Sequence, residues 1–183
     1  MRILIVGAGG TGGYFGARLA EHGRDVTFLV RARRTAQLAA QGLVVASAKG
    51  DVCIAAPQTV TADALGAPFD LVILACKAYG LEQAIADVAP AVGPGTAILP
   101  LLNGMRQLDL LDARFGAAHV LGGRCMIAAM LDADGTVRHL NETHGLTFGE
   151  RDGSDSVRIA AITAVLAGCG FDARASRTIL QDM

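Results

Sequence analysis

Three glycines near the start of the chain, Gly7, Gly9 and Gly12, stand at G-x-G-x-x-G spacing within the stretch GAGGTG. That spacing suits the pyrophosphate of a dinucleotide when the loop follows a strand and opens a helix. The first glycine permits the tight turn, the second leaves bare backbone for the phosphates, and the third lets helix and strand pack closely. Ala8, Gly10 and Thr11 complete the loop. A helix N-terminus carries about half a positive charge and unpaired N–H donors, so an anion is stabilised there without any lysine.

Nineteen positions beyond Gly12 stands Arg31. An acid at this address accepts hydrogen bonds from a ribose 2′-OH, whereas an arginine pairs with a 2′-phosphate. Arg33 and Arg34 follow, and no acid lies between Asp25 and Asp51. The pattern predicts NADP(H) rather than NAD(H); the competing reading makes these arginines a solvated rim. Two further polar residues fall where apolar runs end, Lys77 after FDLVILAC and Asn103 after TAILPLL. Ligands of open α/β sheets lie outside the carboxyl ends of the strands. The Lys77 ammonium is therefore a candidate contact for a phosphate, a ribose or a carboxylate, and Asn103 offers both donor and acceptor. Taken singly, a lysine on a sheet rim and an Asn-Gly turn are the plainer readings.

The elements that would position these residues are readable from the apolar pattern. Ile3 to Val6 is an unbroken apolar run, as in a parallel strand covered on both faces. A helix follows with Phe15 and Leu19 on one stripe, stopped at His22-Gly23, and then a strand over Val26 to Val30. Residues 32–40 suit a short helix closed by Gly42, Leu43–Val45 and Val52–Ile54 a hairpin, and Thr59–Thr61 an edge strand before one helical turn at Ala62–Leu65. Phe69–Cys76 reads as a core strand, followed by a helix over Leu81–Ala89. Thr96–Leu101 is a further strand and Arg106–Phe115 a further helix. Val120–Leu131 is long and apolar but broken by Gly122-Gly123-Arg124. Asp134-Gly135 signals a hairpin into Thr136–Leu140, and Leu146–Gly149 adds another strand. Ser154 or Asp155 caps a helix reaching Ala167, Phe171–Ala175 is an edge strand, and Ser176–Met183 begins a last helix. The fold class expected is α/β, a Rossmann-type doubly wound, mostly parallel sheet with antiparallel strands added in its second half.

At 183 residues the chain is long enough for one domain with a real core. A net charge of −1 with mixed signs gives no basic footprint for nucleic acid and no polybasic face for a membrane. The chain enters a core strand directly, without a signal peptide, and no apolar run approaches the ~18 residues of a spanning helix. A soluble cytoplasmic protein is the expectation. The four cysteines, Cys53, Cys76, Cys125 and Cys169, show no zinc-site spacing and read as reduced core residues. His119, His139 and His144 fit no metal motif, and no metal is expected.

The ordered set GAGGTGGYFGARLAEHG, Arg31, LACKAY around Lys77, LLNGM around Asn103 and the GTVRH…LTFGE pair resembles the N-terminal NADP-binding domain of the ketopantoate reductase family across essentially the whole chain. The resemblance implies NADPH-dependent reduction of 2-dehydropantoate (ketopantoate) to pantoate, on the route to pantothenate and coenzyme A. It also implies that Gly7 to Gly12 and Arg31 bind the dinucleotide and that Lys77 and Asn103 line the cleft shared by cofactor and substrate. Family members are longer, and a second, helical domain supplies the general-acid lysine. On this reading residues 1–175 are the NADP-binding domain, 176–183 start the helical one, no certain catalytic residue stands before Met183, and the fragment alone is inactive. Gly10, commonly alanine in relatives, is expected to be a tolerated extra glycine. Ile179, Leu180 and Met183 would be left uncovered and favour self-association; a homodimer of the full-length protein stays open. Two alternatives remain at this point, a nucleotide-sensing Rossmann module and a reductase of another 2-keto acid.

Overall fold

The computed structural model describes residues 1–183. Five strands make a wholly parallel sheet: β1 (Arg2–Val6), β2 (Asp25–Leu29), β5 (Gln58–Val60), β6 (Leu71–Leu74) and β7 (Ala97–Pro100), in the order β5-β2-β1-β6-β7. The order reverses at β1, with β2 on one side and β6 on the other. Alternation along each strand divides the interior in two. Ile3, Ile5, Leu71 and Ile73 enter one core, while Leu4, Val6, Val72 and Leu74 enter the other. The second core is closed by α3 (Leu81–Val88) and α4 (Arg106–Phe115), which bring Leu81, Ile85, Leu108 and Leu111 against the sheet.

The first core is closed differently. The antiparallel strands expected in the second half of a single sheet instead form a second sheet, in the order β10-β9-β3-β4 with β8 along the other side of β9. Its members are β3 (Leu43–Ala46), β4 (Val52–Ile54), β8 (Gly122–Leu131), β9 (Val137–Gly149) and β10 (Asp172–Ala175). Helix α1 (Gly10–Glu21) lies between the two sheets. It is therefore buried from Gly12 to Leu19 and not along one stripe. Its small residues make this packing fit. A β-carbon at Gly16 would stand 2.4 Å from the Phe28 ring on one side, and one at Gly10 would stand 2.3 Å from the Ala129 carbonyl oxygen of β8 on the other. Gly10 is thus a close-approach glycine, and not merely a tolerated one.

Two sequence expectations change in β8 and β9. Gly122 and Gly123 do not break the apolar run; they begin β8, where the Ile179 and Leu99 side chains and the Pro100 carbonyl approach too closely for side chains. The segments expected as two strands after the Asp134-Gly135 turn are one strand of 13 residues, β9, which β8 pairs at both ends, Val137–His139 and His144–Gly149, across a break in register. Cys53 is exposed, because Val52 takes the inward face of the short strand β4. Ile179, at the start of α6 (Ile179–Asp182), is buried, and Met183 packs on the second core, so this end is partly covered already.

Helix α5 (Val157–Leu166) is capped by Ser156, whose Oγ accepts from Ile159 N at 3.1 Å. The neighbours Ser154 and Asp155 are engaged elsewhere, Asp155 with Arg177. Ser156 Oγ in turn donates to Glu150 Oε1 at 2.6 Å, and Arg158 Nε donates to the same oxygen at 2.7 Å. Arg158, and to a lesser degree the Ser156 hydroxyl, holds the Glu150 carboxyl below its ordinary pKa. A depressed carboxyl contributes stability that is present above its unfolded pKa and lost as pH falls through the folded one. Thermal melts across pH should accordingly show stability declining below about pH 4.3, and Glu150→Gln should flatten that decline while lowering stability at neutral pH.

Candidate functional site: a cavity at the carboxyl ends of the parallel strands

The loops leaving β1, β2, β5 and β6 open on one cavity of about 760 Å³. It lies beside the reversal of strand order between β1 and β6, where open α/β sheets take their ligands. Gly7, Ala8 and Gly9 form its floor, Arg31 to Arg34 one wall, and Thr61 to Asp63 with Cys76, Lys77, Tyr79 and Gln83 the others. The turn between β8 and β9 reaches over from the second sheet through Leu131, Asp132 and Ala133. Helix α2 (Ala32–Gln41) begins at this wall, with Arg31 as its N-cap residue.

The glycine loop is shaped for an anion. Gly7 has φ +95°, a left-handed backbone that side chains rarely adopt. Its N–H is spent on the Leu29 carbonyl at 3.0 Å, which ties the loop to β2. A β-carbon at Gly12 would stand 2.0 Å from the Gly7 carbonyl oxygen, so helix and loop close only over glycine. At Gly9 a β-carbon would have no neighbour within 4 Å, and its bare backbone faces open space. The first bond of the helical ladder runs from Gly13 N to Gly9 O at 2.8 Å, and no side chain caps the end. The amides ahead of Gly13 have no carbonyl a turn behind them to bond. They are the donors a phosphate would meet, and these residues fit a dinucleotide diphosphate.

Charge around the cavity is mixed but ordered. Arg31, Arg33 and Lys77 are exposed, and none is in an ion pair. Of the acids on the walls, Asp132 is bound to Arg138 at 2.7 Å and Asp87 accepts from Gln83 Nε2 at 2.7 Å. The Thr61 hydroxyl holds the Asp63 carboxyl below the usual range. Cys76 also lines the cavity, and burial pushes its thiol pKa up.

The cavity gathers Gly7, Ala8, Gly9, Arg31 and Lys77, residues from three strand ends. Gly10, Thr11 and Gly12 sit just behind, in the first turn of α1. Asn103 lies apart, exposed in a shallow depression with Leu102, Gly104, Arg124 and Met183. Arg34 is turned inward and is no solvated rim residue. No local pattern marks the hairpin turn at 131–133 as a cavity wall; only the pairing of β8 with β9 brings it there.

A sequence profile described as Ketopantoate reductase PanE/ApbA matches residues 3–153. The chain belongs to the ketopantoate reductase family. The family is one of oxidoreductases whose members bind NAD(P)H. Over all 183 residues the chain is 44% identical to the uncharacterized oxidoreductase YkpB of Bacillus subtilis, covering 60% of that protein. Among solved structures, a 2-dehydropantoate 2-reductase from Geobacter metallireducens superposes with a TM-score of 0.88 at 34% identity, over 97% of this chain and 58% of the other. A D-mandelate dehydrogenase with NADH and anilino(oxo)acetate superposes with a TM-score of 0.85 at 27% identity, over 98% of this chain and 58% of the other. The chain thus spans about three-fifths of the length of these relatives. No helix is long and apolar enough to cross a membrane.

Proposed function

We propose that the cavity holds NADPH and that the chain serves the reduction of ketopantoate to pantoate. Residues 1–175 are the nucleotide-binding unit, and residues 176–183 open a helical unit that completes the site. One observation carries the cofactor reading: Arg31 stands on the cavity wall at the end of β2, exposed and without an acid partner. An arginine there offers two parallel donors to a 2′-phosphate, and nothing at that address accepts from a 2′-OH. When bound, the nicotinamide supplies a hydride to a keto carbon.

The chain's own residues bind and orient. The amides of the glycine loop receive the diphosphate, and the Lys77 ammonium on the cavity rim attracts the carboxylate that every 2-keto acid carries. Asn103 lies outside this cavity, in the depression at the end of β7, and its donor and acceptor would meet substrate only at the far side of the site. A general acid must come within hydrogen-bond reach of the forming alkoxide, and that role is assigned to a lysine of the helical unit. A second reading, reduction of another 2-keto acid, is favoured by the likeness to the D-mandelate dehydrogenase. The setting proposed is the cytoplasm, with a small-molecule substrate.

An assay following nicotinamide absorbance tests this division of labour. With NADPH and ketopantoate, these 183 residues are expected to oxidise nicotinamide at the background rate although NADPH binds. Rapid turnover would contradict it. In a chain continuing through the helical unit, turnover with ketopantoate supports the substrate assignment, and turnover only with a different 2-keto acid replaces it with the second reading.

A further inference from the structure

Arg34 differs from its neighbours in the arginine run. Its Nε donates to the Ala8 carbonyl in the glycine loop at 3.2 Å. Its Nη1 donates to the Gly135 carbonyl, in the turn between β8 and β9, at 3.2 Å and to Gln37 Oε1 at 2.6 Å. One side chain thereby joins the loop, helix α2 and a turn about a hundred residues away. Gln41, two turns further along α2, adds a bond from Nε2 to the Asp134 carbonyl at 2.6 Å.

This guanidinium has no counter-charge. No carboxylate pairs with it, and its Nη2 is buried without a hydrogen-bond partner. Burial pushes its pKa down, the sign of a cation held at a cost. A partly desolvated positive charge against an anion-binding loop is unfavourable until an anion arrives, and the anion is then held more tightly.

We propose that Arg34 is the positioning residue of the dinucleotide site: it pins the glycine loop to the β8–β9 turn and sets a fixed positive charge behind the amides that receive the diphosphate. The inference rests on the nucleotide reading above. Because Nε of Arg34 is bonded to the glycine loop and Nη1 to the turn and helix that flank it, it acts on the part common to NADPH and NADH. Arg31, whose side chain is free, acts on the part in which they differ.

Calorimetric titration of NADPH and NADH into the wild type, Arg34→Met and Arg34→Lys tests it, with thermal melts to register folding. Arg34→Met is expected to weaken both nucleotides by the same factor, about tenfold, leaving their ratio unchanged. Salt should weaken NADH binding to the wild type, and this dependence should flatten in Arg34→Met; a merely structural side chain would leave it unaltered. Arg34→Lys keeps the charge and the fold but cannot bridge two carbonyls in the same geometry, so it should recover only part of the loss. Wild-type affinity in Arg34→Lys overturns the bridge even if the methionine variant fails to fold. Loss of NADPH binding alone in either variant makes Arg34 a reader of the 2′-phosphate and also overturns the assignment. A wild type that binds neither nucleotide refutes the nucleotide reading itself, and this inference with it.

Discussion

Replacing Arg31 with alanine is expected to weaken NADPH binding about 10- to 100-fold, the worth of a charge-assisted hydrogen bond or a bidentate pair. NADH binding should stay within about twofold of the wild type, since the hydroxyl in place of the phosphate offers Arg31 no charge to meet. Stability should barely change. Arg31 makes no ion pair, and its backbone carbonyl, which accepts from Arg34 N at 2.8 Å and Thr35 N at 3.0 Å, survives the substitution. The loss should also shrink in high salt, because an exposed pair is screened. Parallel titrations of both nucleotides against both proteins check this. Equal losses for NADPH and NADH would move the contact from the 2′-phosphate to the common part of the nucleotide.

Gly12→Ala should do more damage, and damage of another kind. The new methyl would stand 2.0 Å from the Gly7 carbonyl oxygen and 3.0 Å from the Ala75 β-carbon. Neither neighbour is the far end of a flexible side chain, so the loop or α1 itself must shift. Overpacking of this kind costs about 1–3 kcal/mol, and at this chain length each kcal/mol lowers the melting temperature by about 2–4 °C. The same shift spoils the alignment of amides ahead of Gly13. Both nucleotides should therefore lose about tenfold or more in affinity, with their ratio kept. Melting curves beside titrations separate this outcome from the Arg31 variant, which changes the ratio and leaves the melt alone. A variant that binds and melts like the wild type would mean the loop is not packed as described.

Why some of this was legible in the sequence and some was not follows from the range of the forces involved. The runs Ile3–Val6 and Leu71–Leu74 announce buried parallel strands because both faces of each strand meet a core. The glycine loop and Arg31 are legible for a similar reason: turn, helix start and strand end are consecutive in the chain, and local geometry dictates their residue types. The second sheet is not local. Whether Gly122-Gly123 breaks a strand or begins one depends on Ile179 and Leu99 arriving from elsewhere. The joining of Val137 to Gly149 into one strand depends on β8 lying beside it. Gly10 looks like a spare glycine until β8 comes to rest on it. Arg34 reads as one more cation of the arginine run after β2 until Gly135 folds back to its guanidinium. In the site, then, the glycine floor and the arginine on the cavity wall after β2 were readable, and the wall built by distant pairing was not.

The cavity at the ends of β1, β2 and β6 is proposed to bind a phosphorylated dinucleotide and to prefer NADPH. This is tested most directly by titrating NADPH and NADH separately into the unaltered chain in the calorimeter. Saturable one-to-one binding of NADPH is expected, with NADH about 10-fold weaker or more. Equal binding, or a preference for NADH, would contradict it.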